Sequence, residues 1–213
     1  MHTSKKLLIP LLTVFTLLLS LDSYAANGRA DYDRDNDGLI EINDLADLDE
    51  IRNNLDGKTL YGSSVGCPLR EGCTGFELTA DLDFDTNGNG EIDNGDDYRN
   101  ITPEGVAEGW LPIGRFPDSI YVDDFSAHFN GNGHVIKNLS INRPLESSIG
   151  LFNSAENSII ENVVIAGLHS EIIGNREVAA LVGHTYLNNR IRNVFIAANV
   201  HGEHFVGGLV GSA

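Results

Sequence analysis

From Trp110 to the end of the 213-residue chain, apolar residues come in short runs separated by Gly and Asn. Ile136-Lys137-Asn138-Leu139-Ser140-Ile141 matches Ile160-Glu161-Asn162-Val163-Val164-Ile165, and both match Ile191-Arg192-Asn193-Val194-Phe195-Ile196. A second element interleaves with these: Ile149-Gly150-Leu151-Phe152, then Ala179-Ala180-Leu181-Val182-Gly183, then Val206-Gly207-Gly208-Leu209-Val210-Gly211. Asn162 to Asn193 is 31 residues and Gly150 to Ala180 is 30, whereas Asn138 to Asn162 is 24, which makes the first unit shorter. Repeats of this size, built from short β-like runs, indicate a solenoid. Alternation of Ile, Val and Leu with polar residues sets inward and outward faces. An Asn at one place per unit suits a ladder at a turn, each amide bonding its neighbour's backbone. The expected fold class is mainly β: parallel β-helix repeats over 110–213, preceded by an acidic, loop-rich region with one short helix. A β-sandwich, the other mainly-β reading, does not require a repeated sequence.

Residues 26–109 lack that periodicity. Leu45, Leu48, Ile51 and Leu55 fall at spacings of three, three and four, one apolar stripe of a helix. Asn43 or Asp44 can cap its start, and Gly57 follows its end. At the N-terminus, Lys5 and Lys6 precede an apolar stretch from Leu7 to Leu21, and Ser23-Tyr24-Ala25 places small residues where a signal peptidase reads. This predicts a signal peptide over 1–25 and an exported chain.

Charge changes the picture of the middle region. The chain has 31 acidic and 14 basic residues, net −17, and 19 of the acidic ones lie between Asp31 and Asp97. Such a surface repels nucleic acid and attracts cations. A block this acidic must be solvated, disordered or neutralised by metal, and its spacing points to metal. In Asp33-x-Asp35-x-Asp37-Gly38-Leu39-Ile40-Glu41-x-x-Asp44, alternating acids surround one point and Gly38 allows the sharp turn. The Leu39 carbonyl becomes a ligand, Ile40 anchors the loop, Glu41 binds directly or through water, and Asp44 closes the shell. Calcium takes about six to eight oxygen ligands on such loops. A second run, Asp85-x-Asn87-x-Asn89-Gly90-Glu91-Ile92-Asp93-x-x-Asp96, repeats the grammar with fewer charges, which predicts weaker affinity. Its register is open, because Asp83 is an alternative first ligand. The loops are some 50 residues apart, which argues against one paired lobe.

Cys67 and Cys73 are expected to form a small disulfide loop in an oxidising compartment. They lack the spacing of a redox pair. Catalytic patterns are weak. Gly62-x-Ser64-x-Gly66 has Cys67-Pro68 directly after it, where a nucleophile elbow needs a helix. Asp123-Asp124 and His134 sit in loop and turn contexts, without the paired carboxylates of glycoside hydrolysis. His201-Gly202-Glu203-His204 lacks the helical spacing of a zinc pair.

The first acidic loop resembles an EF-hand loop of the dockerin-like form, which ends in Asp, although residues 26–32 cannot supply an entering helix. The Gly-Leu-type elements, together with Phe129-Asn130-Gly131-Asn132-Gly133-His134-x-Ile136-x-Asn138-Leu139 and Trp110-Leu111-Pro112-Ile113-Gly114, resemble the GLUG-repeat proteins. Ala179-Ala180 departs from that family's double glycine. The resemblance implies a bacterial exported or surface protein, of a group that includes adhesins and the non-catalytic region of some immunoglobulin-cleaving metalloproteases. The expected function is therefore a secreted, calcium-binding structural and interaction protein, adhesin-like and non-catalytic. A polysaccharide-binding or polysaccharide-cleaving β-helix is the alternative, as is a truncated non-catalytic part of a larger surface protein or protease. Expected partners are calcium and a protein or polysaccharide at the cell surface, not nucleic acid. Self-association through an open C-terminal edge is also expected.

Overall fold

The computed structural model describes residues 32–115 and 123–213, so the leader expected at 1–25 lies outside the described residues. The described residues are mainly β with one short α-helix. The first elements are β1 (Leu39–Ile42), α1 (Leu45–Glu50), β2 (Gly75–Leu78) and β3 (Leu82–Asp83). Three rounds of five short strands follow. The first is β4 (His128–Asn130), β5 (Val135–Lys137), β6 (Ser140–Asn142), β7 (Ser147–Ile149) and β8 (Phe152–Ala155). The second is β9 (Ile159–Glu161), β10 (Val164–Ala166), β11 (Glu171–Ile173), β12 (Arg176–Val178) and β13 (Val182–Thr185). The third is β14 (Arg190–Arg192), β15 (Phe195–Ile196), β16 (Asn199–His201), β17 (His204–Val206) and β18 (Val210–Ser212).

Each strand pairs in parallel with its counterpart one round away, giving five sheets. That arrangement is compatible with the expected β-helix. Each strand carries an apolar residue, and register stacks these residues into columns. Ile40, Phe76, Phe129, Ile160 and Ile191 form one column. Leu82, Ile136, Ile165 and Ile196 form the next. Ile141 and Ile172 stand in a third, Ile149 and Val178 in a fourth, and Phe152 and Val182 in a fifth. All of these except the last-round Ile191 and Ile196 are buried. In the third round Phe195, Phe205, Val206 and Leu209 are exposed.

The columns correct the expected repeat alignment. Ile136 pairs with Ile165, not with Ile160, and Ile160 pairs with Phe129. The apparent 24-residue unit therefore disappears: Phe129 to Ile160 is 31 residues, the same as Ile160 to Ile191. The reason is that an Ile-x-Asn-apolar-x-Ile corner occurs at two places in a round, after β5 and after β9. At both corners the Asn is left-handed, with φ 57° at Asn138 and 54° at Asn162. Asn tolerates that conformation better than most residues. The ladder also differs in kind from the one expected. The Asn193 amide donates to Asn162 Oδ1 at 3.1 Å, and the Asn162 amide donates to Asn130 Oδ1 at 2.9 Å. Asn138 stands outside it and bonds Asp83.

A first test of this ladder is Asn162→Ala, which removes both ladder bonds and strains a left-handed residue. A loss of about 1–3 kcal/mol is expected in urea unfolding. Asn162→Gly keeps the backbone conformation, so it should recover the strain and leave only the ladder loss. Equal losses in the two variants would mean that the backbone preference contributes nothing.

The sheets also run across residues 109 and 110. β1 and β2 extend the sheet of β4, and β3 extends that of β5. The sequence shows no strand here because the runs are two to four residues long and carry buried acids, Glu41 and Glu77, at paired positions. α1 begins at Asp44, whose carboxylate accepts the Asp47 N–H at 2.9 Å. It buries Leu45 and Leu48, and Ile51 follows in a 3-10 turn. Arg52 ties this helical segment to the next stretch of chain by donating to the Leu111, Pro112 and Arg115 carbonyls. It also lies 5.4 Å from the ring of the fully buried Trp110.

Candidate metal centre

The turn from Asp33 to Leu39 is built from side-chain oxygens catching the backbone that follows them. Asp33, fully buried, accepts the N–H of Asp37 at 3.0 Å and of Gly38 at 2.9 Å. Asp35 accepts from Asp37 at 3.2 Å, and Asp37 accepts from Leu39 at 2.7 Å. Asn36 and Gly38 both take positive φ, 62° and 91°. This curls the loop so that carboxylate oxygens of Asp33, Asp35 and Asp37 lie within 4.8 Å of one another. Three carboxylates this close can hold a metal ion.

The second run folds the same way. Asp85 accepts from Asn89 at 3.1 Å and Gly90 at 2.8 Å, Asn87 accepts from Asn89 at 3.0 Å, and Asn89 accepts from Glu91 at 2.9 Å. The positive-φ residues recur at matching places, Gly88 at 69° and Gly90 at 90°. Asp85 is thus the counterpart of Asp33. Asp83 is a strand residue, accepting from the Asp85 N–H at 3.0 Å and the Asn138 amide at 2.8 Å.

The loops close differently. Asp96 folds back over its own loop and accepts the N–H groups of Asn87 at 3.1 Å and Asp93 at 2.8 Å. Asp93 accepts from Gly95, Asn89 and Asn87, and the Gly95 N–H in particular holds its carboxyl below the usual range. In the first loop Asp44 instead caps α1 by accepting the Asp47 N–H. Glu41 accepts the Arg34 N–H at 2.6 Å, and Leu39 and Ile40 continue into β1 with Ile40 fully buried. Ile92, its counterpart, packs half-buried against the core.

Sequence spacing did not mark Glu77. It is the register partner of Glu41 across β1 and β2. Burial pushes its carboxyl up; the Asn132 amide opposes this, while the charges of Asp37, Asp35 and Glu41 push it further. Asp44 at the start of α1 and Asp85 of the second loop line one cleft of about 450 Å³, together with Asp81, Asp83, Asp97 and Tyr98. Burial, then the charges of Asp49, Asp44 and Asp97, push the Tyr98 hydroxyl up to about 12. Asp81 is held at about 2 by the Val135 N–H and the Lys137 ammonium.

Cys67 and Cys73 are joined as a disulfide, with Cα atoms 5.0 Å apart. The bridge stands next to the first loop, because the Thr74 N–H donates to the Gly38 carbonyl at 2.9 Å. Ser64 lies in a turn region with no helix after it. His134 faces Asp81 at 3.4 Å and His201 faces Glu171 at 3.8 Å.

No model of a known protein family matches this chain, and no solved structure matches it. Over 175 residues, 81% of its length, the chain is 29% identical to halomucin of Haloquadratum walsbyi. Over 80 residues, 37% of its length, it is 36% identical to a putative Gly-rich membrane protein of Evansella cellulosilytica. The matched stretches span 2% and 9% of those relatives. Among the described residues, no helix is long and apolar enough to cross a membrane.

Proposed function

We propose that the chain is an exported, calcium-binding structural and interaction protein, adhesin-like and non-catalytic. In this reading calcium orders the acidic arm of a parallel β-helix with GLUG-type repeats. The observation that carries it is the repetition of four side-chain-to-backbone hydrogen bonds and two positive-φ positions in two loops that share the Asp-x-Asp/Asn-x-Asp/Asn-Gly spacing. Oxygen donors only, on flexible turns, match calcium better than softer metals. Asp33, Asp35, Asp37 and the Leu39 carbonyl supply the tighter site, with Asp44 and Glu41 completing it from the start of α1 and from β1. Asp85, Asn87, Asn89, the Glu91 carbonyl, Asp93 and Asp96 supply the weaker one. Similarity to halomucin and to a Gly-rich membrane protein supports a surface- or membrane-associated setting. Self-association through the exposed apolar residues of the third round belongs to the same proposal.

Calorimetric titration with calcium tests the metal. Two binding events are expected, and Asp33→Ala combined with Asp37→Ala should abolish the tighter one. A double mutant that binds calcium as the unmodified chain does would overturn the assignment.

A further inference from the structure

We propose that the pocket between the arm carrying the second acidic loop and the β6–β11–β16 sheet binds a neutral saccharide unit. The pocket has a volume of about 320 Å³. Register sets Ser140, Glu171 and Asn199 side by side along one wall. They are spaced by one strand separation, about 4.8 Å. Ile92 and Arg99 form the facing wall. The arm is tied across the pocket by His169, whose Nε2 lies 2.9 Å from the Gly90 carbonyl oxygen.

Two polar atoms in this lining are buried without a partner. Ser170 is 2% exposed, and its Oγ makes no hydrogen bond. Arg99 Nη1 donates to Ser140 Oγ at 3.1 Å, but its buried Nε has no acceptor. Buried polar groups are almost always satisfied, so two unsatisfied ones lining a single pocket point to something that satisfies both. Ligand hydroxyls do this, one accepting from Arg99 Nε–H and one exchanging a hydrogen bond with Ser170 Oγ. The surroundings narrow the class. An anion meets Glu171 in the wall and Glu91 beside it, and a cation meets Arg99. An apolar ligand finds a row of hydroxyl, carboxylate and amide. Neighbouring hydroxyls on a sugar ring match that row, and Ile92 with the largely exposed Leu168 offers apolar contact to the ring's C–H face.

Saturation-transfer NMR on the chain with calcium present tests this, using maltose, cellobiose, lactose, diacetylchitobiose and, as the charged counterpart, digalacturonate. At least one neutral disaccharide should receive saturation and digalacturonate should not. Ser170→Ala should weaken that sugar about tenfold, by calorimetry, with the melting temperature of the sugar-free chain unchanged or raised, because the hydroxyl bonds nothing within the protein. Arg99→Lys should also weaken it. Saturation of no neutral disaccharide, preference for the uronate, or unchanged affinity in both variants would overturn the proposal. A chain that takes no calcium yet keeps the saccharide signal would refute the metal reading and leave this one standing.

Discussion

Phe152→Ala is expected to destabilise the protein by about 3–5 kcal/mol, the largest effect of any single side chain considered. Phe152 is fully buried, and its ring centroid lies 4.6 Å from that of Phe125 and 5.3 Å from that of Phe129. It thereby joins the last strand of the first round to the first strand of the same round, with Val182 beneath it in register. Truncation leaves a cavity between β4 and β8, which belong to different sheets and are each held in register by their own parallel partners, so the strands cannot collapse around it. Aromatic pairing adds about 0.5–1.5 kcal/mol beyond burial. Urea unfolding monitored by circular dichroism measures the loss. A value below about 1 kcal/mol would mean that this aromatic cluster does not hold the round together.

Chelation should act nearly as strongly, and locally. A metal that binds only the folded chain stabilises it by about 2.7 kcal/mol at each site when free calcium is a hundred times the dissociation constant. For a chain of this size each kcal/mol corresponds to about 2–4 °C in melting temperature. Without metal, Asp33, Asp35, Asp37, Glu41 and Glu77 repel one another around a partly buried loop. Residues 32–97 should therefore open to protease before residues 128–213. Identical cleavage patterns with and without EGTA would sink this expectation.

Local chemistry was legible in the chain, and long-range register was not. The Asp-x-Asp/Asn-x-Asp/Asn-Gly runs announce their turns because the bonds that make them span two to five residues. Asp44 and Asp85 share a cleft only because β3 pairs with β5 and α1 follows β1, which no local pattern reveals. By contrast, the register of Phe152 with Val182, and of Val182 with Val210, follows the Gly-Leu elements directly. The pairing of Phe129 with Ile160 was hidden by a corner motif that recurs within a round. Another corner carries no compositional mark: Ser148, Glu177 and Phe205 each take positive φ, between 54° and 57°, at equivalent places in β7, β12 and β17. Ser, Glu and Phe are not residues that advertise a left-handed position. Stacking against the neighbouring round imposes it.

Equivalent residues of successive rounds are not evenly spaced. The separation is 31 residues from Phe129 to Ile160, 29 from Ile136 to Ile165 and 30 from Phe152 to Val182. The strands keep register, so the corners take up the difference. A gene encoding such a chain can gain or lose a codon at a corner at little cost. A codon added inside a strand reverses every side chain beyond it as far as the next corner. Larger changes in length are expected in whole rounds, since each duplicated round arrives with the columns that its neighbours already match.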